Sequence, residues 1–403
     1  MVLLAAFLGW MFDGMEMGIF PLVARPALQE MQAAAGVVDE GFVQSWMGAI
    51  TALFLVGAAA GGLVFGWLGD RIGRVRAMTL SILTYSVFAG FSYFAQTPQQ
   101  LGALRALGAL GMGGEWSLGV ALVMECWPAE RRPLMAALIG AAANLGYALI
   151  AVLGMRFAIT RDSWRWVMLV GATPALLTFV IRLFVPESER WIAATRRGPS
   201  QPVREIFGPV LRARTLLAIA FAGVALIVTW GIVQWLPLWA DQMTHGTQPL
   251  VKAHTQFWQA IGASTGSFLA PLLGMRWNRR PVYFGLCTAS LLVCGVLFHA
   301  FQNVSPGFFA MVFFTGLCTA SFYGWLPQYL PELFPTRVRA TGQGLAFNFG
   351  RILAAIGAWQ MGALMNFFDK SYAKAGATIS LVYLAGMALI WFAPETRGQP
   401  LPD

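Results

Sequence analysis

Apolar residues in this chain gather into long, nearly uninterrupted stretches, not into the alternation of an element with one wet face. The stretches fall at about residues 2–24, 43–69, 75–95, 99–126, 131–154, 164–185, 214–241, 254–276, 281–301, 306–330, 338–367 and 373–393. A helix needs roughly 20 mostly apolar residues to cross hydrocarbon, and each stretch meets that length. The pattern predicts an all-α membrane protein of 12 transmembrane helices. The first stretch, from Val2 to about Ala24, is too long for the apolar part of a cleavable signal and lacks a basic start. It reads as the first span, with a short leader expected ahead of it.

An even number of spans puts both ends of the chain on one side. The basic residues choose that side. Arg71, Arg74, Arg76, Arg131, Arg132, Arg190, Arg196, Arg197, Arg204, Arg212, Arg214, Arg276, Arg279, Arg280, Arg337, Arg339 and Arg397 fall in one set of connections, 17 in all. Arg25, Arg156, Arg161, Arg165, Lys252, Lys370 and Lys374, only 7, fall in the other. Positive charge stays inside, so both termini are expected in the cytoplasm. The longest polar interruption carries Pro186, Pro199, Pro202 and Pro209 with repeated arginines, and reads as a linker with some helix near Val203–Phe207. It divides the chain into an N-terminal six-helix bundle (1–185), a cytoplasmic linker (186–213) and a C-terminal six-helix bundle (214–403).

The two halves read as copies. Glu125, Pro128 and Arg132 after the fourth span match Glu332, Pro335 and Arg339 after the tenth at a constant offset of 207. Pro186-Glu187 and Pro394-Glu395 match at 208. Parallel repeats of this kind enclose a substrate site between them.

Composition agrees with lipid as the solvent: 58% of residues are hydrophobic and 11% charged, where a soluble domain carries about 25% charged residues. The net charge of +9 comes from basic loops, with no basic run interleaved with aromatics, so a nucleic-acid partner is not expected. Cys126, Cys287, Cys294 and Cys318 have no metal or disulfide spacing and read as packing residues. His245, His254 and His299 form no metal motif, Gly111–Gly114 lacks the Lys-Ser or Lys-Thr of a phosphate loop, and no nucleophile–base set is visible. Neither a cofactor nor an enzymatic activity is expected. The expected partners are a small-molecule substrate, protons and lipid, with the chain a monomer. Gly57/Gly61 and Gly62/Gly66 have the spacing of close helix packing.

An ionisable side chain at bilayer depth costs at least about 2.5 kcal/mol and is kept for function by default. Asp13 lies near the middle of the first span and Glu16 follows on the same face, about 4.5 Å along the axis. Burial of a carboxylate favours its neutral form, which suits a proton carrier. Arg105, in the outer third of the fourth span, is the expected partner of one of these acids, and Glu115 lies near mid-depth on that span. A permanent ion pair that fixes packing is the alternative. Arg351, mid-span in the eleventh stretch, presents a guanidinium fork that matches a carboxylate, which points to an anionic substrate. Asn144, Trp230, Gln234, Tyr323, Gln328, Asn348 and Gln360 are polar or aromatic candidates for lining a cavity, or for bonds between helices.

Gly66-x-x-x-Asp70-Arg71-x-Gly73-Arg74-x-Arg76 between the second and third spans resembles the signature loop of the major facilitator superfamily. The segments at Pro186–Trp191, Pro394–Gly398, Arg105–Trp116 and Glu332–Gly342 resemble its sugar-porter and organic acid–proton symporter branches, including sialic-acid and aromatic-acid carriers. The resemblance implies that an acid at Asp13 and Arg105 couple proton binding to gating. It also implies that Asp70 meets the start of the eleventh span, and that Arg71, Arg74, Glu125 and Arg132, with Glu332 and Arg339 in the repeat, serve a latch at the cytoplasmic mouth. The second-half counterpart, Met275–Arg280, keeps basic residues but not the acid and glycine. The expected function is proton-coupled uptake of a carboxylate-bearing metabolite. A neutral-sugar carrier of the same fold is the first alternative. A drug–proton antiporter is the second, disfavoured because Met135–Gly154 contains no proline.

Overall fold

A computed structural model describes residues 1–33, 40–157, 159–174, 176, 181, 184–195, 202–244, 247–248, 250–359, 367–368 and 371–402. Arg196, Arg197, Pro199, His245, Gln360 and Lys370 lie outside the described residues. The first half comprises α1 (Val2–Ala33), α2 (Glu40–Ile72), α3 (Arg74–Phe91), α4 (Pro98–Cys126), α5 (Arg132–Arg156) and α6 (Trp164–Val170). Two short helices follow, α7 (Glu189–Thr195) and α8 (Pro202–Ile206), the latter close to the predicted linker helix. The second half holds α9 (Arg212–Gly231), α10 (Leu236–Met243), α11 (Val251–Arg276), α12 (Arg279–Ala300), α13 (Pro306–Ala320), α14 (Phe322–Leu333), α15 (Arg339–Trp359), α16 (Tyr372–Ser380) and α17 (Val382–Leu389).

Among the described residues, nine helices are long and apolar enough to cross a membrane. α11 and α15, 26 and 21 residues long, fall outside that set because they carry the polar residues of the eighth and eleventh predicted spans. The sixth predicted span is described only in part. Leu149, Leu292, Phe314 and Leu384 point outward, while Asp13, Arg74, Glu115 and Arg351 are buried. This inverts the solubility pattern of a water-borne protein and fits a hydrocarbon solvent.

Local sequence sets the helix ends. Thr97 and Ser305 cap α4 and α13, each accepting the backbone N–H three residues on at 3.2 Å, with proline next in line. α2 and α3 are separated by Gly73 alone, at φ 108°. That backbone favours glycine, and a side chain there would also run into the Glu187 carboxylate. The seventh span breaks after Gly231 into a 3₁₀ turn at Val233–Trp235 and resumes as α10 with Pro237 in its first turn.

Within the first half, α1 packs on α4 and α5, and α2 and α3 pack on α4. Within the second, α13 packs on α11 and α12, and α9 on α15. The halves meet along two seams, α2 against α15 and α5 against α11. The paired glycines of α2 serve both sides: side chains at Gly57 and Gly61 would meet the α4 backbone, and at Gly62 and Gly66 they would meet Asn348 and Ala340 of α15. We call the side where α1 begins the near face and the side where it ends the far face.

Candidate functional site

Between the halves lies a cavity of ≈ 70 Å³. It is walled by Trp10 (α1), Asn144 and Tyr147 (α5), Trp230 (α9), Tyr323 (α14) and Arg351 (α15), among others. That is space for a few waters and too little for a metabolite. A vestibule of ≈ 650 Å³ opens on its far side, reaching Pro21 and Arg25 on α1 and Pro237 beyond the seventh-span break. Met17, Trp230 and Gln234 line both spaces. The Tyr147 hydroxyl donates to Gln234 Oε1 across the halves at 2.8 Å. On the near side, Trp10 and Trp116 close over Phe347, the Trp116 and Phe347 rings stacked at 3.9 Å and 15°. Among the described residues, the cavity is thus sealed toward the near face and open toward the far face.

Arg351 is 2% exposed. One terminal nitrogen donates to Asn348 Oδ1 at 2.5 Å, the guanidinium lies 5.3 Å from the Phe347 ring centre, and Nε has no hydrogen-bond partner. Asn348 in turn donates from Nδ2 to the Gly113 and Gly344 carbonyls, each at 2.9 Å. It anchors Arg351 and ties α15 to α4. Asn144 donates to Ser267 Oγ at 3.2 Å across the α5–α11 seam. Gln328 does not join this cavity: it is buried near Arg279 and Gly274, toward the near face. One turn of α14 separates it from Tyr323, and the proline at 327 sits between them.

The acids sort differently from the Asp13–Arg105 expectation. Arg105 pairs with Glu16 and lies 5.2 and 4.8 Å from the ring centres of Phe20 and Phe54. Asp13 instead faces Glu115. The physical reason is helix geometry. Residues three apart project about 60° apart around a helix, and Arg105 and Glu115 lie roughly 15 Å apart along α4. Glu16 therefore meets the outer arginine and Asp13 the deeper acid. Gly9, one turn before Asp13, leaves the space that the Glu115 carboxyl fills, and a side chain at Gly9 would collide with it.

At the near face the signature loop forms a clasp. Asp70 accepts from the Thr341 backbone N–H at 2.9 Å and the Thr341 hydroxyl at 2.6 Å, in the first turn of α15. This is where a helix favours an anion. Arg74 binds Asp70 at 2.5 Å and Glu125 at 3.2 Å, and donates to the Thr336 carbonyl at 2.9 Å. Glu125 also receives Arg339 from the second half at 3.1 Å and the Ser188 hydroxyl at 2.5 Å. Two expected members stand apart. Arg71 is exposed over the Trp67 ring. Arg132 donates through Nε to the Met124 and Trp127 carbonyls at 3.0 and 3.1 Å; Arg339 occupies the position beside Glu125 expected of Arg132.

The repeat is visible in these contacts. Arg279 makes a two-pronged pair with Glu332 at 3.0 and 2.8 Å, Thr396 donates to Glu332 at 2.5 Å, and Glu395 accepts from the Arg279 backbone N–H at 2.9 Å. These repeat Arg74–Glu125, Ser188–Glu125 and Glu187–Arg74 of the first half. The counterpart of Asp70 is Met275, so the carboxylate that grips a helix start in the other half occurs in one copy and not in the other. Sequence alone assigns no site role to Tyr147, Ser188 or Arg279. Tyr147 stands one turn from Asn144, and Ser188 and Arg279 occupy repeat positions, so spacing and offset carried the signal.

The sequence model of the Major Facilitator Superfamily matches residues 2–358. The chain is 30% identical over 402 residues to a probable 4-methylmuconolactone transporter of Cupriavidus pinatubonensis, covering 98% of this chain and 90% of that one. It is 28% identical over 403 residues to the 3-(3-hydroxyphenyl)propionate transporter of Escherichia coli, covering 96% of each. Among solved structures, a proton:xylose symporter bound to 6-bromo-6-deoxy-D-glucose superposes with a TM-score of 0.79 at 19% identity, covering 99% of this chain and 97% of that one.

Proposed function

Because this chain belongs to the Major Facilitator Superfamily and is a multi-pass membrane transporter rather than an enzyme, we propose that it takes up a small carboxylate-bearing metabolite by proton symport. In this reading it lies in a bacterial inner membrane with both termini cytoplasmic. Two six-helix halves, 1–185 and 214–403, rock about the linker at 186–213 and expose the central cavity to each side in turn. The observation that carries the reading is Arg351: a buried guanidinium lines the cavity, held by Asn348 and leaving Nε without a partner. A substrate carboxylate supplies the missing acceptor and matches the guanidinium fork, a match that a neutral sugar lacks. Tyr323, Trp230, Gln234 and Asn144 provide aromatic faces and polar contacts around it, while Asp13, Glu16, Glu115 and Arg105 form the proton-responsive interior. The names of the relatives, a probable 4-methylmuconolactone transporter and a 3-(3-hydroxyphenyl)propionate transporter, favour an organic-acid or metabolite cargo.

The test is uptake of a panel of monocarboxylates, aromatic acids, sugar acids and neutral sugars into proteoliposomes under an imposed pH gradient. A carboxylate is expected to accumulate when the outside is acidic, and Arg351→Gln to abolish that uptake. Accumulation of sugars alone, or uptake indifferent to the gradient, refutes the proposal.

A further inference from the structure

The first half carries two acid sites, and their surroundings differ. Glu16 is neutralised by Arg105. Asp13 and Glu115 face each other at 0% and 2% exposure, and none of their four carboxyl oxygens receives a hydrogen bond from a third group. The pair is held together by shape. The absent side chain of Gly9 lets the Glu115 carboxyl lie against α1 one turn below Asp13. Tyr85, from α3, has a buried hydroxyl without a partner and lies within electrostatic reach of both acids. Glu16 on α1 and Arg351 on α15 are the charged groups whose fields reach Asp13. Arg351 is the cation facing Asp13 from the other half.

Two carboxylates in contact repel strongly, one cation, Arg351, offsets only one of the two charges, and a proton between the carboxyls removes the excess. A charge count points the same way. Apart from the near-face clasp, its repeat around Arg279, and Arg132, the buried charged groups among the described residues are three carboxyls (Asp13, Glu16, Glu115) and two guanidiniums (Arg105, Arg351). Fully ionised, this set carries one excess negative charge; with one shared proton it is neutral, the state that low-dielectric surroundings favour.

We propose that Asp13 and Glu115 form a carboxyl dyad that holds one shared proton at rest and takes up a second when a substrate carboxylate neutralises Arg351. The second proton comes from water in the cavity that Trp10 and Met17 of α1 line on either side of Asp13. It converts the remaining carboxylate to a carboxylic acid and cancels the charge the substrate brings, so a monocarboxylate crosses without net charge movement. The Glu16–Arg105 pair keeps its own balance throughout. The shared proton stands independently of the proposed substrate class; the second proton rests on it.

The experiment is infrared difference spectroscopy on the purified full-length protein in lipid nanodiscs, reading the C=O stretch of buried protonated carboxyls. Wild type is expected to show the band of one such group. Asp13→Asn and Glu115→Gln are each expected to remove it, because the single remaining carboxylate then balances Arg351. Arg351→Gln removes the cation without any ligand and is expected to about double the band. Absence of the band in wild type, its survival in both single replacements, or no increase in a folded Arg351→Gln protein overturns the proposal. So does loss of the wild-type band on replacing potassium by sodium in the buffer, which marks the dyad as a metal-cation site. Thermal unfolding of each variant separates misfolding from a lost proton, and the wild-type spectrum tests the dyad if a variant does not fold. Proteoliposome uptake is measured alongside. Lost uptake with the band intact refutes the transport reading, and the reverse refutes the dyad.

Discussion

Replacing Asp70 by Asn tests the near-face clasp. The substitution keeps size and one acceptor oxygen but removes the charge that Thr341 grips through both its backbone N–H (2.9 Å) and its hydroxyl (2.6 Å). A hydrogen bond to a charged group contributes about 1.5–3 kcal/mol, and an anion at a helix start about 0.3–1 kcal/mol. Arg74 is not stranded, because Glu125 and the Thr336 carbonyl still hold it. Allowing for the oxygen that remains, the far-side-open state loses about 2 kcal/mol relative to a state in which the clasp is already broken, a shift of about 30-fold in the equilibrium. Spin labels at Arg76 and Arg276 report the near face, and labels at Gln99 and Thr247 the far face; all four positions are exposed. Pulsed-resonance distances are expected to lengthen between the first pair and shorten between the second. Arg71→Ala, at an exposed position stacked on Trp67, is expected to shift the equilibrium by less than about 0.5 kcal/mol. Unchanged distributions in Asp70→Asn, or a shift toward the far-side-open state, refute the clasp as the element that holds this conformation.

Glu16→Gln strands Arg105 in an aromatic pocket and is expected to cost about 3–5 kcal/mol of stability, seen as a lower melting temperature in detergent. The double replacement Glu16→Gln/Arg105→Met is expected to recover most of that loss while leaving transport impaired. Gly73→Ala meets both a φ of 108° and the Glu187 carboxylate, so a destabilisation of about 1–3 kcal/mol is expected, read as reduced folded yield and melting temperature. Tyr147→Phe removes the 2.8 Å bond to Gln234 and frees the septum between cavity and vestibule. A cost of about 1 kcal/mol is expected to appear as an approximately fivefold change in substrate KM with little change in melting temperature.

Helix positions and the internal repeat were readable from the chain because both are one-dimensional. Span lengths follow from runs of apolar residues, and the offset of 207 that links Arg132 to Arg339 reappears as the same Nε-to-carbonyl contact, on Met124 and on Pro331. Rotation and depth were harder. Asp13 and Glu16 share a face closely enough that sequence could not choose between them for Arg105, and the answer depended on where α4 places Arg105 and Glu115 along its axis. Gln328 reads as a cavity candidate because it is polar within a span, yet it lies nearer the membrane edge with Arg279 while Tyr323 of the same span lines the cavity. Arg132 reads as a clasp residue in any alignment of the halves, and both arginines give Nε to a carbonyl, yet it is Arg339 that reaches across to Glu125. Partners across an interface depend on how two bundles are set against each other, which neither bundle's own pattern encodes.

The unequal repeat has a mechanical consequence. With Asp70 on α2 and a thioether, Met275, at the matching place in the other copy, only one of the two seams carries an anionic hasp. Among the described residues, the α5–α11 seam carries instead the Asn144–Ser267 bond and the packing of Tyr147 and Ala148 with Ala260. A door latched on one edge swings about the other, so the opening of this protein should be lopsided, with α2 parting from α15 while α5 and α11 roll in place.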